Sequence, residues 1–424
     1  MATTSPPRPP LPRAGGVFPT SGPAPVPAAA PPVRWAPLGV AAVLAVALTG
    51  WVWTRYGTQQ GVYALLGLGL GVALFHSRFG FTSAWRQLVA VGNGSGLRAH
   101  ALLLGTTATL FALVLGTGTG LFGSTPTPTS SPLGLALVAG AVLFGIGMQL
   151  GGACASGTLY VVGTGQTSIL LTLGGFITGT VLYAWAFPLV DDLPALPAFT
   201  LADHIGWAGS WAVTLLLLAA VVGLTSVVQR RRVPPPAEEP DTAQGWARAL
   251  RGSWPKWVGA LALAFLGAGV LLASGSAWGI TSAFTLWGSK LLQAVGLHPE
   301  GWQYWQQPAL AAQLEGPVLA DRTSLTDLGI VLGAALASAA GGAWALHRRI
   351  PLNTAVAAVV GGVLMGIGAR LASGCNIGQY LAGIASGSAS GWIWGLAALG
   401  GTWLGLRARR LFGLSVPAPR DSSC

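Results

Sequence analysis

The chain has 424 residues, of which 52% are apolar and only 8% charged. A soluble domain carries about 25% charged residues, so this composition excludes a soluble enzyme, a disordered chain and a nucleic-acid binder together. The net charge of +11 comes from basic residues set between apolar runs, the pattern that orients membrane helices.

Residues 1–34 are proline-rich, carry Arg8, Arg13 and Arg34, and read as a disordered cytoplasmic tail. No signal peptide is indicated, because the first apolar run starts near Ala36 without a short charged region directly ahead of it. Ten runs then approach the length of about 20 residues that a span needs: 36–54, 61–78, 101–121, 133–150, 167–187, 209–228, 257–275, 326–346, 352–371 and 389–406. Residues 229–256 are the strongly charged interior stretch, a cytoplasmic linker between a first membrane half at 35–228 and a second at 257–406; residues 407–424 form a basic, then polar, cytoplasmic tail. The expected fold is an all-α polytopic membrane protein of about ten helices.

With the N-terminus inside and sides alternating, all but four of the 22 Lys and Arg residues fall on inner segments, the exceptions being Arg55, Lys290, Arg322 and Arg370. The outer loops collect Asp191, Asp192 and Asp203, then Glu300, Glu315, Asp321 and Asp327. This bias supports ten spans with both ends in the cytoplasm.

The chain also repeats itself. A shift of 221 lays GIGMQLGGACASG on GIGARLASGCNIG, matching Gly157 with Gly378 and Cys154 with Cys375. A shift of 199 lays SRFGFTSAW on SAWGITSAF, matching Gly80 with Gly279 and Thr82 with Thr281. Five spans per copy is an odd number, so the second copy enters from the opposite side. An inverted repeat places its substrate site near the mid-plane, at interrupted helices.

In each copy a glycine-rich helix runs to the cysteine and a short polar stretch follows, too short to span. The simplest reading is a helix that breaks before the cysteine and a half-helix that starts at it. A half-helix N-terminus inside the membrane presents unpaired N–H groups and about half a positive charge, an anion site. Neutral cysteine adds a weak S–H donor and a soft sulfur suited to a sulfur-containing anion. Cys424, in the polar tail, carries no such argument. Gln149 and Arg370 stand five residues before the two cysteines; Arg370 either attracts anions or snorkels to the interface. Thr82 and Thr281 either line the path or serve as packing hydroxyls. Asn376 has Ala155 as its counterpart. The five histidines form no metal-ligand pattern, with His204, His298 and His347 assigned to solvated loops, and no cofactor is expected.

These segments, GIGMQLGGACASGTLYVVG and GIGARLASGCNIGQYLAGIASGSASGW, together with SAWGITSAFTLWG, resemble the signatures of the YeeE/YedE thiosulfate-uptake permeases over roughly residues 60–406. The resemblance implies a multi-pass protein of the bacterial inner membrane with two pseudo-symmetric halves and short helices dipping to the centre. It also implies that thiosulfate passes along a line of cysteines, with Cys154 and Cys375 at two of the relay positions. Gly80 departs from the family, which commonly has a cysteine there, so a three-thiol relay is not implied and a selenium compound stays open as substrate. Some members carry a fused sulfur-carrier domain; none is visible here, which leaves a separate cytoplasmic sulfur-carrier protein open as a partner beside membrane lipid.

Transport of a small sulfur anion is therefore the leading reading. A primary pump is disfavoured by the lack of a G-x-x-x-x-G-K-[ST] loop. A membrane sulfurtransferase forming a persulfide on Cys154 or Cys375 would need an activating His or Lys, and neither motif holds one.

Overall fold

A computed structural model of the chain describes residues 31–232, 245–346 and 349–416. The expected tail at 1–30, the middle of the linker at 233–244, His347 and Cys424 lie outside the described residues. In chain order the helices are α1 (Trp35–Tyr56), α2 (Thr58–Ser77), α3 (Phe81–Val91), α4 (Ser95–Thr117), α5 (Leu135–Gly151), α6 (Ala155–Gly163), α7 (Ser168–Trp185), α8 (Ala202–Arg232), α9 (Ala247–Arg251), α10 (Lys256–Ser274), α11 (Thr281–Ala294), α12 (Pro308–Glu315), α13 (Arg322–Ala340), α14 (Leu352–Leu371), α15 (Ala382–Ala385) and α16 (Ala389–Ala408). A π-helix (Asn376–Leu381) leads into α15. The paired strands among the described residues, Leu133–Gly134 and Ala195–Leu196, are two residues each.

Nine stretches of the described chain are long and apolar enough to cross a membrane. They hold α1, α2, α4, α5, α7, α8, α10, α13 and α14. The tenth expected span is α16, of 20 residues. Its length is sufficient, but five glycines and three tryptophans in it lower its mean hydropathy below that of the other nine.

One boundary differs with consequence. Asp327, expected with the acidic residues of an outer loop, lies instead in the second turn of α13 and is fully buried. The helix starts early because Asp321 caps it, its carboxylate accepting from the Ser324 N–H at 2.7 Å. His204 is exposed, as expected, but lies in the turn that opens α8 ahead of a kink at Gly206 (φ +69).

The glycine excess is spent on close approach. A methyl group on Gly147 (α5) would sit 2.6 Å from the Gly361 carbonyl oxygen (α14), and one on Gly329 (α13) 2.7 Å from the Gly67 Cα (α2). Backbones this close gain packing that bulkier side chains forbid, the usual source of helix association in lipid. The packing is orderly: α2 lies on α13 and α10 on α4, α5 lies on α16 and α14 on α7, α1 lies on α13 and α8 on α4. In addition α5 packs on α14, and α2 on α10.

Candidate functional site

Two helix breaks organise the centre. α5 ends at Gly151, and Gly152, at φ +86, takes the left-handed conformation that turns the chain. Cys154 then caps α6 in extended backbone, its carbonyl accepting from the Thr158 N–H and hydroxyl, both at 2.8 Å. Its Sγ lies 3.5 Å from Ser156 Oγ.

At the second break Ser373 (φ +58) and Gly374 (φ +157) turn the chain after α14. A side chain at Ser373 makes that conformation costly, by about 1–2 kcal/mol. Cys375 caps the π-helix: its carbonyl accepts from the Gln379 N–H at 2.9 Å and the Tyr380 N–H at 3.3 Å, and the N–H groups of Ile377 and Gly378 lie on the side of its sulfur. The sequence predicts a half-helix at this cysteine; the wider π turn, which packing selects, is not legible in it.

Both thiols are 1% exposed, and Cys154 and Cys375 lie within electrostatic reach of each other. An aromatic wall runs past them: Trp85 against Tyr380 (centroids 5.3 Å apart), Tyr380 against Trp394, Trp394 against Phe144, and Phe144 through Phe176 to Phe284. Such a wall excludes water and strengthens every electrostatic contact inside it.

The remaining predicted residues divide. Asn376 sits beside Cys375, buried, and neither polar atom of its side chain has a hydrogen-bond partner. A buried amide left so loses about 1–3 kcal/mol per group unless a ligand supplies the bond. A methyl on Gly157 would meet Ala153 Cβ at 3.1 Å and Cys154 Sγ at 3.4 Å, whereas one on Gly378 would meet nothing within 4 Å. Gly378 therefore borders open space next to Cys375.

Gly80 caps α3 and lines a cavity of about 20 Å³ with Arg78, His100 and Lys256. Thr82 is fully buried and its hydroxyl has no partner; Thr281 is buried at the start of α11, and Gly279 before it faces open space.

Each break has a guanidinium beside it. Arg370, with its Nε unpartnered, donates to the Tyr304 hydroxyl and sits over that ring at 5.4 Å. It lines an open cavity of about 450 Å³ that reaches Ser373 at the second break. At the first break two cations stand that sequence reading counts only as inner basic residues: Arg409, whose Nη1 donates to the Gln149 carbonyl at 2.6 Å, and Arg86. The Nε of Arg86 donates to Gln149 Oε1 at 2.9 Å and its Nη2 lies 3.4 Å from the Gly152 carbonyl. Gln149 thus accepts from Arg86 through its side-chain oxygen, while its own Nε2 remains unpartnered. A charge directly after the TSAW run, at the sixth residue of α3, is the signal that marks Arg86. Among the described residues no group of three or more His, Cys, Asp or Glu is placed to hold a metal ion.

A family model described as sulphur transport matches residues 76–404. A 138-residue stretch, 32% of the chain, is 37% identical to the probable transporter YedE of Salmonella typhimurium and spans 32% of that protein's length. The Escherichia coli YedE is similar over the same extent at 36% identity. The thiosulfate transporter TsuA of Spirochaeta thermophila is 28% identical over 352 residues, 80% of this chain and 96% of that protein.

Proposed function

Because the chain belongs to the sulphur transport family, we propose that it carries thiosulfate, or a similar small sulfur anion, inward across the bacterial inner membrane along a path lined by Cys154 and Cys375. The observation that carries this reading is the pair of buried cysteines, one at each helix break and within electrostatic reach of the other. Thiosulfate is the substrate named for the relative that this chain matches almost end to end, which favours it over a selenium compound.

The chemistry follows from the parts. An anion entering from the Arg370 side meets a guanidinium in a wide cavity, where capture is electrostatic. It then reaches N–H groups of the π turn, the Asn376 amide and the Cys375 thiol. Soft S–H donors hold a terminal sulfur weakly, at about 0.5–1 kcal/mol each. Weak holding lets the anion move on to Cys154 and then to the Arg86 side. A chain of strong cationic sites would trap it instead.

The packing pairs support an inverted repeat. If α1, α2, α4, α5 and α7 correspond to α8, α10, α13, α14 and α16, the contact of α2 with α13 becomes that of α10 with α4. The contact of α5 with α16 likewise becomes that of α14 with α7, and α1 with α13 becomes α8 with α4. This correspondence assigns α8 to the second copy and puts the repeat boundary before Ala202 instead of in the linker. The broad apolar surfaces of α1 (Val40, Val43, Val46) and α8 (Leu216, Leu224) are then lipid-facing.

Growth of a sulfur-auxotrophic bacterium on thiosulfate with and without this gene tests the proposal, alongside uptake of thiosulfate labelled in each sulfur. Transport delivers both labels to the cytoplasm. Loss of the outer sulfur alone means a sulfurtransferase, and no gene-dependent growth refutes uptake.

A further inference from the structure

We propose that Asp327 is a proton-binding site whose loading accompanies the passage of the anion, so that the protein is a proton-coupled symporter; this rests on the transport reading above. Asp327 is fully buried in α13, and neither carboxylate oxygen has a hydrogen-bond partner among the described residues. An ionised carboxylate without a partner is not tolerated inside a membrane; such a group pairs, or holds a proton, and by default marks an ion pathway.

Position ties it to the path. α6 and α13 run in the same direction, since Gly163 faces Val331 and Ala334 while Thr164 just beyond accepts from the Ala345 N–H at 3.1 Å. Stepping back along both at 1.5 Å per residue sets Asp327 abreast of the first turn of α6, which Cys154 caps. Across the centre, Asp327 is within electrostatic reach of Cys375.

Among the described residues no cation bonds to the carboxyl. The other charge acting on it is Asp321, which is engaged in capping the helix. The titratable side chains on the elements packed against α13 include Tyr63 and His76 of α2, Tyr160 of α6, Arg55 and Tyr56 of α1 and Lys290 of α11, and none bonds to the carboxyl. Arg322 is turned away to Ser274 Oγ at 2.8 Å, and Arg251 of α9 reaches the opposite end of α13 at the Ala340 carbonyl.

An anion at Cys375 and an ionised Asp327 repel one another across a medium of low dielectric. A proton on Asp327 removes that repulsion, so anion and proton bind together. Each proton carried also cancels one elementary charge of a dianion that an inside-negative potential opposes.

The test uses full-length protein in proteoliposomes with a pH-reporting dye in the lumen and labelled thiosulfate outside. The expected result is lumenal acidification in step with uptake. Asp327→Asn lowers the protons moved per thiosulfate at least tenfold, and Asp327→Glu retains the ratio. Glu300 in the exposed loop after α11 does not mimic the effect, because a hydrogen bond from Gln293, its own N–H and His298 pull its pKa down to about 2, and it stays ionised through the assay range. An unchanged ratio in Asp327→Asn overturns the proposal, as does wild-type uptake that moves no protons. If the wild type takes up no thiosulfate, the transport reading fails instead. The infrared carbonyl stretch of a protonated carboxyl then decides: its loss in Asp327→Asn upholds the proton site, and a spectrum unaltered by the substitution overturns it.

Discussion

Gly378→Ala separates a path-lining role from a packing role at the second break. Its backbone does not adopt the left-handed region, and an added Cβ meets no atom within 4 Å, so the substitution costs no steric energy in the folded protein. Replacing glycine by alanine within a helical stretch stabilises it by about 0.5–1 kcal/mol. The variant should therefore fold at least as well as the wild type. The new methyl projects about 1.5 Å from the backbone into the space beside Cys375, and a ligand atom can come no closer to it than about 3.5–4 Å. Crowding of this kind costs about 1–3 kcal/mol, which is a fall in uptake of roughly fivefold to a hundredfold. Labelled thiosulfate uptake, normalised to protein in the membrane, and thermal stability in detergent are measured on the same preparation. Lower transport with equal or higher stability is the expected combination. Wild-type transport by an equally abundant variant would refute the reasoning, since the open space at Gly378 would then carry nothing. Gly157→Ala provides the contrast: its Cβ would press on Ala153 and Cys154 Sγ, so stability and transport should fall together.

Cys154→Ala and Cys375→Ala should each remove most uptake while membrane abundance is kept, because alanine nearly preserves packing at both 1%-exposed sites; wild-type rates in both variants would end the cysteine-path reading. Gly80→Cys should be tolerated, since Gly80 has the extended backbone of an N-cap (φ −112) that any residue adopts, and uptake should change by a few-fold through one added weak S–H contact. Complete loss at normal expression would mean that Gly80 is required for close approach. Cysteines placed at Asp203 and Arg232, at opposite ends of α8, should react with an impermeant thiol reagent from opposite sides of the membrane; reaction from one side would remove the inverted repeat.

The membrane class and the two breaks are legible because they rest on local signals. Apolar runs of span length give the helices, and the duplicated glycine-cysteine spacing gives the positions where α5 and α14 stop. Asp327 defeats the same reading because a charge near the end of an apolar run looks like a boundary, and only the cap by Asp321 and the packing of α2 and α6 on α13 draw it inside. Arg86 and Gln149 are 63 residues apart, so their bond is a tertiary fact that no window of sequence contains. The π turn at Cys375 is likewise selected by neighbours, with Gln379 fastened to Ser390 Oγ at 2.7 Å and to Ser131 at 3.1 Å. α16 shows the limit of hydropathy itself: glycines that permit close packing against α5 also dilute the apolar signal by which a span is recognised.

The contact of α5 with α14 limits how such a protein can move. Where Gly147, Gly151 and Gly361 let two main chains touch, neither helix can slide or tilt against the other without opening voids that cost dispersion contacts along the whole seam. Large rocking of one half against the other, the means by which many carriers alternate between two faces, would have to break this seam first. Motion is left to the short pieces beyond it, α6 and the π turn, each attached to its parent helix through a glycine hinge. If the two thiol-bearing ends form the gate, it opens and closes within a frame that stays still.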